Sequence, residues 1–475
     1  MRRLSNVRIV LALATALSGV APAHAQTAAK DPPNILLIIA DDMGLDASPC
    51  YGIAAGKPKM PVLKRMCDEG IVFENFYANP VCSPTRATLM TGRYSFRTGV
   101  GTVTRPGVTP GLKLSERTIF QFLDSTTSKA YAHAVIGKWH LSDEGNGGAM
   151  HALKAGVGYY AGLLQGSLRD YYSWPRTHKG KTEQVSSYIT SALTRESVHW
   201  INSQRKPWFL WLAHVAPHLP LHLPPNNLHG RFELNGRPPD IRARPRDYYF
   251  AALEALDKEM GKLLAGMPKA IRDNTLVIFM GDNGTPPRVA QVYQRSRTKG
   301  SVFEGGTHVP LIVWGKGVLR RGARETALVN STDIFATVAE LAGVDLKKEK
   351  MPEDSISFAP LLSRSVPTKR RFAYVEHFGP ANLRMPPPRA DARQFPRRPP
   401  GFNPTSRFGF AIRDARWKYL EEKGRGKMLF DLSSDAIERK NLLAAEAAMS
   451  SEARKALLRL KLQAQALRIT GSEGR

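Results

Sequence analysis

The sequence predicts an α/β fold, a large mixed but mostly parallel sheet flanked by helices, followed by a smaller α+β domain. Three observations carry this reading. Asn34 to Ala40 (NILLIIA) is a continuous branched apolar run of strand length, as expected of a strand buried on both faces. Ala134 to Ile136, Trp208 to Val215 and Thr275 to Met280 resemble it, and Val309 to Trp314 follows a glycine pair as a fifth. Helical periodicities lie between these runs. The clearest puts Tyr249, Leu253, Leu256, Met260, Leu263 and Leu264 on one stripe at 3.6-residue spacing.

From about residue 365 the pattern changes. Met385 to Pro400 is too dense in Pro and Arg for regular structure and reads as a surface loop. Phe408 to Ile412, Trp417 to Leu420 and Met428 to Leu432 read as short strands of a four-stranded antiparallel sheet. A last helix, Ser451 to Ile469, places Ala453, Leu457, Leu460, Ala464 and Leu467 on one packing face. The expected division is a leader at 1–25, an α/β domain at 26–364 and a small domain at 365–475.

Composition narrows the class. The chain has 475 residues, 42% of them hydrophobic, which excludes a disordered chain. Three cysteines are too few for a disulfide framework, and no C-x-x-C pair offers a zinc ribbon. Cys50 and Cys67 are free to pair in an oxidising compartment, but sequence does not set their distance. Arg2, Arg3 and Arg8 precede an apolar run from Ile9 to Val20, and Ala23-His24-Ala25 is a small-x-small cleavage site before Gln26. That is the pattern of a secretory signal peptide, which predicts a periplasmic or secreted protein without a membrane anchor. The net charge is +27, from 68 Lys+Arg against 41 Asp+Glu. Such a charge concentrates anionic substrates, sulfated or phosphorylated polymers among them, or simply solvates the surface. No nucleic-acid-binding motif accompanies it, and export argues against a chromosomal target.

Four of the apolar strands end abruptly in polar residues: Asp41-Asp42, Lys138-Trp139-His140, His218, and Asp282-Asn283-Gly284. Ligands of open parallel sheets bind beyond the carboxyl ends of the strands, so parallel strands would bring all four clusters to one edge. Asp41, Asp42, Asp282 and Asn283 offer only oxygen, which selects a hard cation, Ca²⁺ or Mg²⁺, over zinc. A divalent cation would also relieve the repulsion between paired carboxylates. Lys138, His140, His218 and Lys299 add cationic or protonatable groups, a mixture suited to an anionic tetrahedral substrate group.

Cys82-Ser83-Pro84-Thr85-Arg86 opens a helix-forming stretch, with Ser83 expected as N-cap and Pro84 at the first helical position. Cys82 would lie against the helix N-terminus, where partial positive charge stabilises an anion, with Arg86 within reach.

These residues, with Leu89 and Thr91-Gly92-Arg93-Tyr94, resemble the signature of the formylglycine-dependent sulfatases, in the alkaline phosphatase superfamily. Asp41-Asp42, Gly137-Lys138-Trp139-His140, Pro217-His218, Asp282-Asn283-Gly284, Lys299-Gly300, Glu304-Gly305-Gly306, Leu429-Phe430-Asp431-Leu432 and Asn441-Leu442 follow in the family's order. The resemblance covers about residues 33 to 445. It implies that Cys82 is oxidised to formylglycine by a separate maturation enzyme, and that the aldehyde hydrate attacks sulfur with help from Arg86 and Lys138. It further implies that His218 and Lys299 assist the leaving group, that His140 helps the resulting sulfate ester collapse, and that Ser167 donates to the substrate. Asp41, Asp42, Asp282 and Asn283 would hold Ca²⁺ together with residue 82. A geminal diol expels sulfate by itself, whereas a plain serine or thiol would need a second attack by water.

Thr85 stands for the commoner Ser, His308 for a frequent Arg, and Gly156-Val157-Gly158 for Gly-Phe-Asp. The function expected is a secreted hydrolase of aryl or carbohydrate sulfate esters, a sulfated glycan among the possible substrates. The alternatives are a phosphonate or phosphate-diester hydrolase of the same superfamily and a non-catalytic polyanion-binding protein. The basic stretches Arg242 to Arg246, Arg288 to Lys299 and Arg384 to Arg398 are the residues expected to border the cleft.

Overall fold

The computed structural model describes residues 32–128, 130–379 and 408–469. The expected signal peptide and the Pro/Arg-rich stretch Met385 to Pro400 lie outside them.

Ten strands build the large sheet: β1 (Asn34–Ala40), β2 (Ile71–Tyr77), β3 (Ala132–Gly137), β4 (Tyr159–Gly162), β5 (Ser173–His178), β6 (Lys181–Ser186), β7 (Trp208–Ala213), β8 (Thr275–Gly281), β9 (Leu311–Gly315) and β10 (Ala323–Asn330). Their spatial order is β10-β2-β9-β8-β1-β7-β3-β4-β5-β6. The central strands β8-β1-β7-β3 run parallel, and they are the four apolar runs read from sequence. Burial explains why those runs lack alternation. Ile35, Leu37 and Ile39 of β1 join one core, while Leu36, Ile38 and Ala40 join another on the opposite face.

Helices cover both faces. α1 (Pro61–Glu69), α2 (Cys82–Thr91), α3 (Ile119–Thr126), α4 (Ile189–Ser203), α5 (Pro245–Ala265) and α6 (Asp333–Leu341) are the principal ones. Residues of α2, α3 and α6 fill the first core, and those of α1, α4 and α5 the second. The stripe from Tyr249 to Leu264 lies wholly in that second core. Pro61 starts α1, and the free N–H groups of Val62 and Leu63 donate to Asp257 on α5 at 3.0 and 2.8 Å.

The fifth apolar run differs from its fellows. β9 pairs antiparallel with both β8 and β2. The connection from Asp282 to Pro310 starts and ends at the same sheet edge, where Gly281 N–H donates to the Pro310 carbonyl at 3.1 Å. A strand entered from the edge its predecessor left must run the other way. Apolar content alone carries no direction.

The small sheet is β11 (Ala373–His377), β12 (Gly409–Arg413), β13 (Trp417–Glu422) and β14 (Gly426–Asp431), antiparallel throughout. The last helix, α7 (Ser451–Ile469), packs Ala453, Ala456, Leu460 and Ala464 against Ile412, Tyr419 and Leu429. The other face of this sheet meets Tyr77, Val302, Phe303 and Leu328. Arg370 joins the two parts: its guanidinium donates to Asp333 on α6 at 2.5 Å and to the Asp354 carbonyl at 2.7 Å.

Cys50 and Cys67 form a disulfide, with Cα atoms 6.1 Å apart, so the pairing left open by sequence is made. It ties the loop after β1 to α1. Among the described residues no helix is long and apolar enough to cross a membrane. Replacing both cysteines by serine is expected to lower unfolding free energy by about 3 kcal/mol, by the loop-closure estimate for a loop of this size. An unchanged urea midpoint would show that the bridge adds nothing.

Candidate active site

Register brings the strand ends together. Ala40 pairs with Gly281, Ile39 with Ala213, and Gly137 with Ala213, so four neighbouring strands about 4.8 Å apart all stop at one edge. Asp41-Asp42, Lys138 to His140, His214 to His218 and Asp282-Asn283 therefore emerge side by side. The connection to β9 carries Lys299 to the same edge, where its N–H donates to the Thr285 carbonyl at 3.2 Å.

α2 aims its N-terminus into this group. It begins at Cys82, with Val81 rather than Ser83 in the N-cap position and Pro84 third in the helix. Pro is tolerated there because the first N–H groups of a helix have no intrahelical partner. Ser83 is used elsewhere: its hydroxyl donates to the His140 carbonyl at 2.8 Å and accepts from Thr104 N–H at 2.9 Å.

Cys82 is the hub. Its Sγ lies 3.3 Å from Asp41 Oδ1, 3.3 Å from Lys138 Nζ and 4.0 Å from Lys299 Nζ. Lys138 also donates to Asp41, and Lys299 pairs with Asp42. Arg86 donates to Asp282 Oδ2 at 2.9 Å and to the Lys138 carbonyl at 2.6 Å, and lies 3.7 Å from Asp41. The side chains of Arg86, Lys138, Asp41 and Asp282 are fully buried, while His218 and Lys299 keep 14% and 18% exposure and form the open side.

Electrostatics follow from that packing. Burial opposes the Asp41 carboxylate, but Lys138, His218, Arg86 and Lys299 outweigh it and hold the group far below the usual carboxylate range. Asp282 moves the other way, pushed up to about 6 by burial and then by the Asp41 charge, against the pull of Arg86. Burial and Asp41 raise the Cys82 thiol, so as a cysteine it is neutral. Burial, Lys138 and Arg86 push His140 well below the ordinary histidine value, and burial with Lys299 brings His218 down to about 4. Both imidazoles are neutral at pH 7.

The residues fit a metal ion. One donor atom each from Asp41, Asp42, Cys82 and His218 lies within 4.8 Å of the others. Asp42 Oδ2 and Asn283 Oδ1 are buried and accept no hydrogen bond, an arrangement costly unless something positive satisfies them. Asn283 Nδ2 donates to Asp42 Oδ1 at 2.8 Å, which ties these two residues together. Asp282 lies beside this group rather than in it, and both its oxygens accept N–H bonds, one from Arg86 and one from Asp42 N at 3.0 Å.

Every catalytic and metal residue expected from sequence comes to this edge. Ser167 makes no hydrogen bond to the group; it is exposed, next to Gly166, which lies against the His140 ring. Several supporting residues gave no sequence signal. Tyr249 sits on the apolar stripe of α5, yet its hydroxyl donates to the Asp42 carbonyl at 2.7 Å. Tyr171 donates to the carbonyls of His218 at 2.6 Å and Val215 at 3.1 Å, holding the His218 segment. Asp42 and His140 have φ of 76° and 58°, left-handed conformations uncommon outside glycine and concentrated at functional sites.

Fold and site together define the class, an alkaline phosphatase-like fold with oppositely charged side chains gathered at one sheet edge around residue 82. Residues 33–344 match the sulfatase family model, and the chain belongs to the sulfatase family of sulfuric-ester hydrolases. It is similar to N-acetylgalactosamine-6-sulfatase of Homo sapiens, 30% identical over 369 residues that cover 70% of this chain and 66% of that protein. The chain thus spans about two thirds of the length of the curated relatives it matches. The solved structure of Ps i-CgsB in complex with k-i-k-neocarrahexaose superposes with a TM-score of 0.70 at 26% identity, covering 88% of this chain and 90% of that one. BT4656 in complex with D-glucosamine-2-N,6-O-disulfate shares the fold, with a TM-score of 0.69 at 19% identity over 92% of this chain and 98% of that one.

A Cβ at Gly166 would lie 2.0 Å from His140 Nε2, so the ring has room only because residue 166 is glycine. Gly166→Ala is expected to displace the imidazole and lower kcat by about 100-fold, the cost of a misplacement near 1 Å. An alanine variant with wild-type kcat would remove His140 from the chemistry.

Proposed function

We propose that this sulfatase is exported and hydrolyses a sulfate ester of a sulfated carbohydrate, giving the free alcohol, inorganic sulfate and a proton, with formylglycine at position 82 and a bound Ca²⁺. The observation that carries the reading is the placement of residue 82 at a helix N-terminus between Asp41, Lys138 and Lys299. Asp41, Asp42, Asn283 and residue 82 would hold the calcium, with Asp282 beside them as a further oxygen donor. Bound there, the ion supplies positive charge to the sulfate oxygens and favours ionisation of the hydrated aldehyde.

The chain's own groups supply the rest. Arg86 and Lys138 present fixed positive charge beside residue 82 in a water-poor site, where charge on sulfate oxygens is stabilised most. Lys299 stands protonated on the open side, positioned to give a proton to the departing alcohol, and the neutral His218 imidazole beside it can hydrogen-bond the same oxygen. His140 directs its Nε2 to the Thr104 carbonyl at 3.2 Å, which places the proton there and leaves Nδ1 as a base with no donor on it.

A carbohydrate ester is supported by the sugar sulfates named for the relatives and by charge. Two of the three basic stretches meet: Arg288 donates to the Arg242 carbonyl at 3.1 Å, and Arg246 to the carbonyls of Val289 and Ala290 at 3.2 and 3.3 Å. The third, Arg384 to Arg398, lies outside the described residues. Export is supported by the leader-like N-terminus and by the Cys50–Cys67 disulfide, which belongs to oxidising compartments.

Release of sulfate and of phosphate should be compared at matched leaving groups, then on a sulfated oligosaccharide across salt. The expected result is sulfate release, with a kcat/KM on the oligosaccharide that exceeds that on the aryl ester and falls as salt rises. Preferential phosphate release would overturn the reaction, and equal, salt-independent activity on both sulfate esters would overturn the polyanionic substrate.

A further inference from the structure

We propose that the buried ion cluster Glu304–Lys418–Glu438 is a positioning device through which the small C-terminal sheet sets the places of Asn283 and Lys299 in the active site. Its parts come from four regions of the chain. Glu304 Oε1 lies 2.7 Å from Lys418 Nζ on β13. Glu304 Oε2 accepts from the Tyr77 hydroxyl on β2 at 2.8 Å and lies 2.8 Å from His308 Nδ1. Glu438 Oε1 is 3.0 Å from Lys418 Nζ, and its Oε2 accepts the Glu304 N–H at 2.6 Å. All three side chains are 1–2% exposed, and burial pushes the Glu438 carboxyl up to about 7 against the pull of Lys418. Burial alone would neutralise Glu304, but Lys418 and His308 hold its carboxyl well below the usual range. Glu438 itself sits at φ 59°, a conformation its surroundings must impose.

The cluster touches the site through Gly305 and Gly306. Gly284 N–H donates to the Gly306 carbonyl at 3.0 Å, and a Cβ on Gly284 would lie 1.9 Å from the Gly305 carbonyl oxygen. The two backbones are therefore in direct contact, one residue from Asn283. On its other side Gly306 lies against Ser301, whose carbonyl would be 2.1 Å from an added Cβ, two residues from Lys299. A shift of Glu304 must move both loops.

Cohesion does not require this arrangement. Apolar side chains of similar volume would join the two sheets at least as well, because desolvation offsets most of the Coulomb gain of a buried pair. What charges add is direction. Lys418 meets Glu304 at one distance and angle, whereas an apolar contact tolerates sliding.

The test is amide hydrogen exchange on calcium-free protein, read at Gly284, Lys299 and Gly300. Lys418→Met is expected to speed exchange there at least tenfold, and Lys418→Arg to restore most of the protection. Leu460→Ala, which opens a gap under α7 on the same sheet without touching the cluster, should melt lower yet leave these amides at the wild-type rate. By calorimetry Lys418→Met should also weaken Ca²⁺ binding about tenfold, a typical consequence of disturbing groups behind a metal ligand. Equal exchange in Lys418→Met and Leu460→Ala would reduce the cluster to packing and overturn the proposal. Should Lys418→Met fail to fold, Glu438→Gln, which keeps an acceptor for the Glu304 N–H, and Glu438→Ala, which does not, make the same comparison. Only the alanine variant should then exchange faster, and equal rates would again overturn it. Only the calcium arm presupposes the metal site proposed above. A wild-type protein that binds no Ca²⁺ would remove that site and leave the exchange result to decide.

Discussion

Charge balance around residue 82 constrains everything else in this molecule. Asp41, Asp42 and Asp282 meet Arg86, Lys138 and Lys299 at one sheet edge, largely out of water. Neither set is tolerable alone, since an unpaired buried charge costs several kcal/mol. The strand register, the direction of α2 and the path of the β8–β9 connection all serve to bring the two sets together. Near-neutrality of the ring leaves Asp42 Oδ2 and Asn283 Oδ1 unsatisfied on one side and Lys299 and His218 partly exposed on the other.

Rigid support appears wherever the site could drift. Tyr249 and Tyr171, both buried, hold carbonyls of the Asp42 and His218 segments. Ser83 bridges the helix start to His140 and Thr104. Asp42, His140 and Glu438 are three of the five described non-glycine residues with positive φ, so strain gathers at the site and at the cluster behind it. Packing on both faces of the sheet is what maintains such conformations.

Much of this was legible in the sequence, for a physical reason. A strand buried on both faces must be apolar throughout, so the polar residue that ends it marks the sheet edge, and four such endings mark a site. Asp41-Asp42, Lys138, His218 and Asp282-Asn283 were readable in that way, and the Cys82 segment added its own pattern. β9 was legible as a strand but not in its direction, because direction depends on where a connection re-enters the sheet. The outer strands β5 and β6 carry mostly polar side chains and left no apolar run. Tyr249 read as one more apolar residue of a stripe, since only the fold shows where its hydroxyl points. Ser83 read as a helix cap because local capping rules cannot anticipate a tertiary partner.

We propose that this ring of charge surrounds a formylglycine. As a cysteine, residue 82 is a buried neutral thiol beside a carboxylate, a poor nucleophile in the position where the nucleophile belongs. The most direct measurement is a fragmentation mass spectrum of the reduced tryptic peptide Met66 to Arg86, from protein made in its native host. Residue 82 is expected as the aldehyde or its hydrate. A plain thiol at that position, in protein that turns over substrate, would contradict it.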